Sequence, residues 1–172
     1  MDKYWTNGHI PWLTSGEVRQ SIITKVSNFI TEDGLNNSSA KWVGANSTLV
    51  ALYGATAGEV SINAYELTTN QAVCALIPKD SYQWFNYLAI SEKVTEFQGK
   101  AVGSAQQNIS KGIVESTIVI SPNINVVKYL NEFSKSYFNP QHILKCNLGI
   151  TKLMNIGCKK LNIALLHYIF IY

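Results

Sequence analysis

Residues 48–63 read TLVALYGATAGEVSIN, and no other stretch constrains the fold as much. Thr48–Tyr53 is a short, bounded run of β-branched and apolar residues, the length and composition of a buried strand. Val60–Ala64 alternates and reads as its return strand. Between them, GATAG supplies two glycines that reach positive φ without the Cβ penalty other residues carry. The stretch 48–64 therefore predicts a β-hairpin closed by a glycine turn. The same residues exclude two phosphate-binding loops. A Walker loop continues into Lys and Ser/Thr, whereas this chain continues into Glu59 and Val60, and a carboxylate there repels phosphate. The dinucleotide fingerprint opens a helix, and this turn opens a strand.

The rest of the chain divides at about residue 122. Ile10–Leu13 reads as a short strand, 18–30 as strand or helix, Asp33-Gly34 and Asn36–Ser39 as turn, and Ser39–Val43 as a short strand. A third hairpin-region strand is expected over Thr69–Pro78, stopped by Pro78. Ser81 is placed to cap a helix carrying Tyr82, Phe85, Leu88 and Ile90, broken by Gly99 and Gly103. Ile113–Ile120 is expected as another strand. Beyond it, Val126, Val127, Leu130, Phe133 and Tyr137 recur at helical spacing, and a longer helix is expected after Asn139-Pro140. The fold class that follows is α+β: a twisted, mostly antiparallel β core with flanking helices over 1–122, then a helical, coiled-coil-like segment over 123–172.

With 172 residues, 47% of them hydrophobic and 15% charged, the chain can bury one substantial core. Its net charge of +3 is unevenly spread. Residues 1–122 hold 8 Lys and Arg against 10 Asp and Glu, and 123–172 hold 6 Lys against 1 Glu. Bulk positive charge is thus absent from the β-rich part. Cys74, Cys146 and Cys158 make no CxxC pair and no metal-ligand spacing, as expected of reduced thiols in a cytoplasmic protein. MDKYWTNGHIPW has no apolar signal core, and LNIALLHYIFIY is about half the ~20 residues of a membrane span. His9, His142 and His167 are scattered with no Ser or Cys motif beside them. Asn139-Pro140-Gln141-His142 lacks the second proline and the aromatic of the amino-methyltransferase box and reads as a helix break. The residues compose no active site and no metal site.

YWTNGHIPWLTSGEV (4–18), TEDGLNNSSAKWV (31–43), TLVALYGATAGEVSI (48–62), TTNQAVCALIP (68–78) and GSAQQNIS (103–110) follow one another in order. This series resembles the target-recognition domain of the specificity subunit of type I restriction–modification systems, over roughly residues 4–122. The resemblance implies a protein that reads double-stranded DNA and performs no chemistry. Modification subunits that use S-adenosylmethionine would dock on the helical segment, a motor-nuclease subunit would complete the complex, and ATP and magnesium would belong to those partners. Family subunits usually carry two recognition domains separated by long helices. Here one is seen, beginning almost at Tyr4-Trp5 without the family's usual first strand and helix. A homodimer pairing through the helical segment would restore the two-domain arrangement and read an inverted repeat. The other expectation is a protein-interaction module that docks partners without reading DNA.

Base edges are read by Arg, Lys, Asn and Gln, with Ser and Thr in support. The candidates for DNA contact are Asn36, Asn37, Ser38 and Lys41 in one polar cluster, and Thr69, Asn70 and Gln71 in a second. Ser104, Gln106, Gln107, Asn108 and Lys111 form a third, and Arg19 and Lys25 lie in a less patterned stretch. The same residue types also make turns, caps and core hydrogen bonds, so each has a structural reading beside the DNA one.

Overall fold

The computed structural model describes residues 2–19, 22–102 and 107–137. They fall into two compact units, dividing between Ile120 and Ser121. The first unit carries eight short strands, β1 (Ile10–Leu13), β2 (Ile22–Ile23), β3 (Asn28–Ile30), β4 (Lys41–Val43), β5 (Thr48–Ala51), β6 (Val60–Asn63), β7 (Leu67–Thr69) and β8 (Val73–Leu76). Its helices are α1 (Glu32–Asn36), α2 (Gln83–Ser91), α3 (Val94–Lys100) and α4 (Lys111–Glu115).

The strands form two four-stranded sheets, ordered β3-β1-β7-β4 and β2-β6-β5-β8. Most pairings are antiparallel, but β1 with β7 and β2 with β6 are parallel. Leu13, Val18, Ile23, Val26, Val43, Leu49, Ala51, Leu67 and Val73 make one core drawn from both sheets. The expected hairpin is present: β5 and β6 pair antiparallel with Thr48 opposite Ile62. All four residues of each strand are buried, because α2 covers β5 and β6. A strand covered on both faces has no polar side to show.

The glycine turn resolves into a single 3₁₀ turn, Gly54–Thr56, followed by a type II turn over residues 56–59. Ala57 has φ −52° and ψ 125°, Gly58 has φ +87°, and the Glu59 amide donates to the Thr56 carbonyl at 2.8 Å. The third position of a type II turn requires positive φ. Gly58 is also pressed against α3, where an added Cβ would lie 3.1 Å from Phe97 Cβ. Gly54, at φ +83°, has nothing within 4 Å of such a Cβ. One glycine thus answers to geometry and packing, the other to geometry alone.

Several sequence expectations are corrected. The strand expected over Ile113–Ile120 is helix α4 followed by irregular chain. Ser110 accepts the Ile113 amide as N-cap, and Lys111 pairs with Glu115 one turn on; Ile118 and Ile120 are exposed and pair with no strand. The strand expected over Thr69–Pro78 is two strands in different sheets, β7 and β8, separated by the turn at Asn70–Ala72. Asp33-Gly34 lies inside α1, not in a turn, because Thr31 caps that helix by accepting the Gly34 amide. Ser81 is not the cap of α2; Tyr82 holds that position, with no side-chain bond. The buried face of α2 is Trp84, Tyr87 and Ile90, so Phe85 and Leu88 are only half-buried. The break after α2 falls at Glu92-Lys93, and Gly99 sits within α3. Among the described residues of 18–30, the regular elements are the two strands β2 and β3.

The second unit contributes α5 (Ile124–Tyr137). Val127, Leu130, Asn131 and Ser134 are buried along one side, while Tyr129 is exposed; of the expected stripe, Val127 and Leu130 are buried and Val126 and Phe133 are half-buried. The helix expected after Asn139-Pro140, with His142, Cys146, Cys158 and His167, lies outside the described residues.

Candidate functional site

Two of the three polar clusters meet where β4 pairs with β7. The register sets Lys41 opposite Thr69. The segment before β4 and the turn after β7 therefore leave the same end of the sheet together. Ser39 Oγ donates to Gln71 Oε1 across the gap. Asn37 Nδ2 donates to the Asp33 carbonyl at 3.0 Å, Ser38 Oγ accepts the Ala40 amide at 3.1 Å, and Asn70 Oδ1 accepts the Ala72 amide at 2.9 Å. These local bonds shape the loops, as Asn and Ser commonly do. They leave Asn36, Asn37, Ser38, Lys41 and Gln71 exposed, whereas Thr69 is buried. Thr69 thus aligns the turn and offers no edge to a ligand.

The third cluster joins through the end of β5. The Leu52 amide donates to the Ala72 carbonyl at 2.9 Å, and the Ile109 amide donates to the Leu52 carbonyl at 2.8 Å. The Gly54 amide donates to the Gln107 carbonyl at 3.0 Å. Backbone bonds thereby run from the Asn70–Ala72 turn through residues 52–54 to residues 107–109. Gln107 and Asn108 are exposed. Lys111 follows on α4, its ammonium 2.9 Å from Glu115; the hydrogen bond and charge of that carboxylate push its pKa up. Burial pushes the Cys74 thiol up, with the Lys111 charge opposing, which places α4 beside β8. The three clusters, with two exposed lysines among them, thus lie along one chain of backbone hydrogen bonds, which we call the ridge.

The remaining candidates stand elsewhere. Arg19 and Lys25 flank β2, the opposite edge of the second sheet from β8. The Arg19 amide donates to Ser61 Oγ at 3.1 Å and its Nε donates to the Gly16 carbonyl at 2.9 Å, so one guanidinium donor is engaged with its own chain. Ser104 and Gln106 lie outside the described residues. Sequence reasoning passed over two residues of the ridge. Ser39, read as the last turn residue and the first of a short strand, makes the inter-loop bond. Tyr53 was assigned to the core strand yet is 37% exposed, opposite Asn108. The signal for Tyr53 was its place one residue before a glycine, where a strand ends and a side chain emerges.

Among the described residues, no group of three or more His, Cys, Asp or Glu could hold a metal ion, and no helix is long and apolar enough to cross a membrane. His9 is exposed, 3.5 Å from Glu32. The arrangement suits recognition of a polar, hydrogen-bonding surface.

Comparison with known proteins agrees with this geometry. The family model described as type I restriction modification DNA specificity domain matches residues 1–142. The specificity subunit of the Escherichia coli type I restriction enzyme EcoR124I/EcoR124II is 26% identical over 142 residues, covering 76% of this chain and 35% of that one. The crystal structure of a type I restriction–modification S subunit from M. genitalium superposes with a TM-score of 0.54 at 18% identity, over 92% of this chain and 37% of that one. A structure describing complex assembly and conformational transition of the type I restriction–modification system gives 0.51 at 14% identity, over 78% of this chain and 33% of that one. At these identities the structural likeness establishes the α+β fold. The chain spans about a third of the length of the relatives it matches. With most of its residues matched by the family model, the chain belongs to the type I restriction–modification DNA specificity domain family.

Proposed function

We propose that this chain is the sequence-reading component of a type I restriction–modification system and that its ridge of loops binds double-stranded DNA. The observation that carries the proposal is that hydrogen bonds at the strand ends of the two sheets link three polar clusters distant in sequence. Bases are read by amides and cations displayed on a fixed scaffold, while phosphate contacts set the register. Lys41 and Lys111 suit phosphate contact, and Gln71, Gln107 and Asn108 suit base edges.

In this reading the chain performs no chemistry. Methylation and cleavage belong to a modification subunit and a motor-nuclease subunit, which carry S-adenosylmethionine, ATP and magnesium in the cytoplasm. The segment from residue 123 docks the modification subunit or a second copy of the chain. The excess of acidic residues over 1–122 fits a module whose phosphate grip comes mainly from its partners.

The test is selection from a random duplex library by the full chain co-expressed with the modification subunit of its system. An enriched motif is the expected result, and an inverted repeat would indicate a pair of copies. Co-purification of the two proteins with no enriched motif would refute sequence reading and leave a docking module.

A further inference from the structure

The ridge ends in a small three-segment patch with a chemistry of its own. Asn108 sits in its middle. Its amide and carbonyl exchange two 3.0 Å hydrogen bonds with Val102. On its other side it lies directly opposite Tyr53, in a pair flanked by the Ile109–Leu52 and Gly54–Gln107 bonds. Residues directly opposite one another in antiparallel pairing send their side chains to the same face, closest in the pair without mutual hydrogen bonds. Val102, Asn108 and Tyr53 therefore stand in one row. Their neighbours Leu52 and Ile109 point the other way, into the core, at 3% and 1% exposure. The row itself faces solvent, with Val102 73% exposed.

Each member of the row offers a different contact. The Asn108 amide presents a donor and an acceptor together, the pair that matches adenine N6 and N7 in the major groove. Val102 presents methyl groups, which suit the C5 methyl of thymine. Tyr53 presents a hydroxyl with no hydrogen-bond partner among the described residues. The row carries no charge that would repel a duplex, and its extended, solvent-facing segments present side chains that can reach base edges in the major groove.

We propose that the Val102–Asn108–Tyr53 row enters the major groove, with Asn108 bidentate on an adenine, Val102 against the methyl of a neighbouring thymine, and the Tyr53 hydroxyl on a backbone phosphate. This inference rests on the DNA-reading function proposed above and assigns part of its specificity.

The experiment is random-duplex selection with the full chain and its modification subunit, comparing wild type with Asn108→Ala, Asn108→Asp, Val102→Ala and Tyr53→Phe. All three side chains are exposed, so the backbone pairing survives, and a thermal melt of each of the four variants confirms folding. The wild-type motif should contain adjacent A and T. Both Asn108 variants should lose discrimination at the adenine by about 5- to 150-fold, the range for one good bidentate contact, with other positions intact. Val102→Ala should weaken preference at the neighbouring thymine, and Tyr53→Phe should lower affinity evenly without altering the motif. A folded Asn108 variant that selects the wild-type motif unchanged overturns the proposal while leaving DNA reading in place. Absence of any wild-type motif overturns both.

Discussion

Gly54 and Gly58 share a sequence context and a backbone sign, so replacing each by alanine separates two physical reasons for a glycine. Both have φ near +85°, where an L-residue costs roughly 1–2 kcal/mol. At Gly54 nothing lies within 4 Å of the new Cβ, and its amide bond to the Gln107 carbonyl persists. Gly54→Ala should therefore cost only that strain. At Gly58 the new Cβ would approach Phe97 Cβ and Gln98 Cγ at 3.1 Å and the Gln98 amide nitrogen at 3.2 Å. Phe97 is fully buried, so α3 must move, and overpacking of this kind adds roughly 1–3 kcal/mol. Gly58→Ala should thus cost about 2–5 kcal/mol. Urea unfolding reads both: with a slope of about 2 kcal/mol per M, a loss of about 3 kcal/mol moves the midpoint by about 1.5 M. Equal midpoint shifts for the two variants, at unchanged slope, would refute the packing argument and leave turn geometry as the sole requirement.

Other consequences are as direct. Asn63 is fully buried and its side chain makes three bonds, accepting from the Ser47 amide at 2.8 Å and donating to the Gly44 and Tyr65 carbonyls at 2.9 and 2.8 Å; Asn63→Ala removes these bonds from the Ser47 amide and the Tyr65 carbonyl, while the Gly44 carbonyl keeps the Ser47 hydroxyl, and should cost about 2–3 kcal/mol in the same unfolding assay, and a loss below about 1 kcal/mol would refute the argument. Glu17 accepts the Thr14 amide and hydroxyl, both at 2.9 Å, and the Ser27 amide at 2.8 Å. Burial pushes this carboxyl up, but the bonds together outweigh it and hold it below the usual 4.5. A depressed carboxylate adds stability that is present above the unfolded pKa and lost as pH falls through the folded one. Wild type should lose stability more steeply than Glu17→Gln as pH falls below 4.5, and parallel profiles would sink that assignment. For DNA binding, Lys41→Ala should reduce the slope of log affinity against log salt by about 0.9 if its ammonium neutralises one phosphate; an unchanged slope removes Lys41 from the interface.

The elements legible in the sequence are those whose signal is local. The β5–β6 hairpin declares itself through an apolar run, two glycines and a return strand, and α5 through its periodicity. The strand expected at Ile113–Ile120 failed for an instructive reason. Its β-branched residues match a strand, yet Ser110 caps a helix there and Lys111 pairs with Glu115, local terms that outweigh β-propensity even with the β8 edge nearby. The single strand expected at Thr69–Pro78 failed because a change of sheet leaves only the small Asx turn at Asn70 as its mark.

What the sequence determined alone is the inventory: a glycine-closed hairpin, an α+β composition, no catalytic or phosphate-loop motif, and three polar clusters set in a family pattern. Tertiary structure decided which of them act together. The β4–β7 register, the parallel β1–β7 and β2–β6 pairings and the bonds through Leu52 bring residues 36–41, 69–72 and 107–111 onto one ridge and leave Arg19 and Lys25 on another edge. Those pairings join strands dozens of residues apart, and their energy lies in shared burial of residues such as Leu13, Leu49 and Leu67. A local pattern states that a strand wants a buried face; which partner supplies it is settled only when the whole core closes.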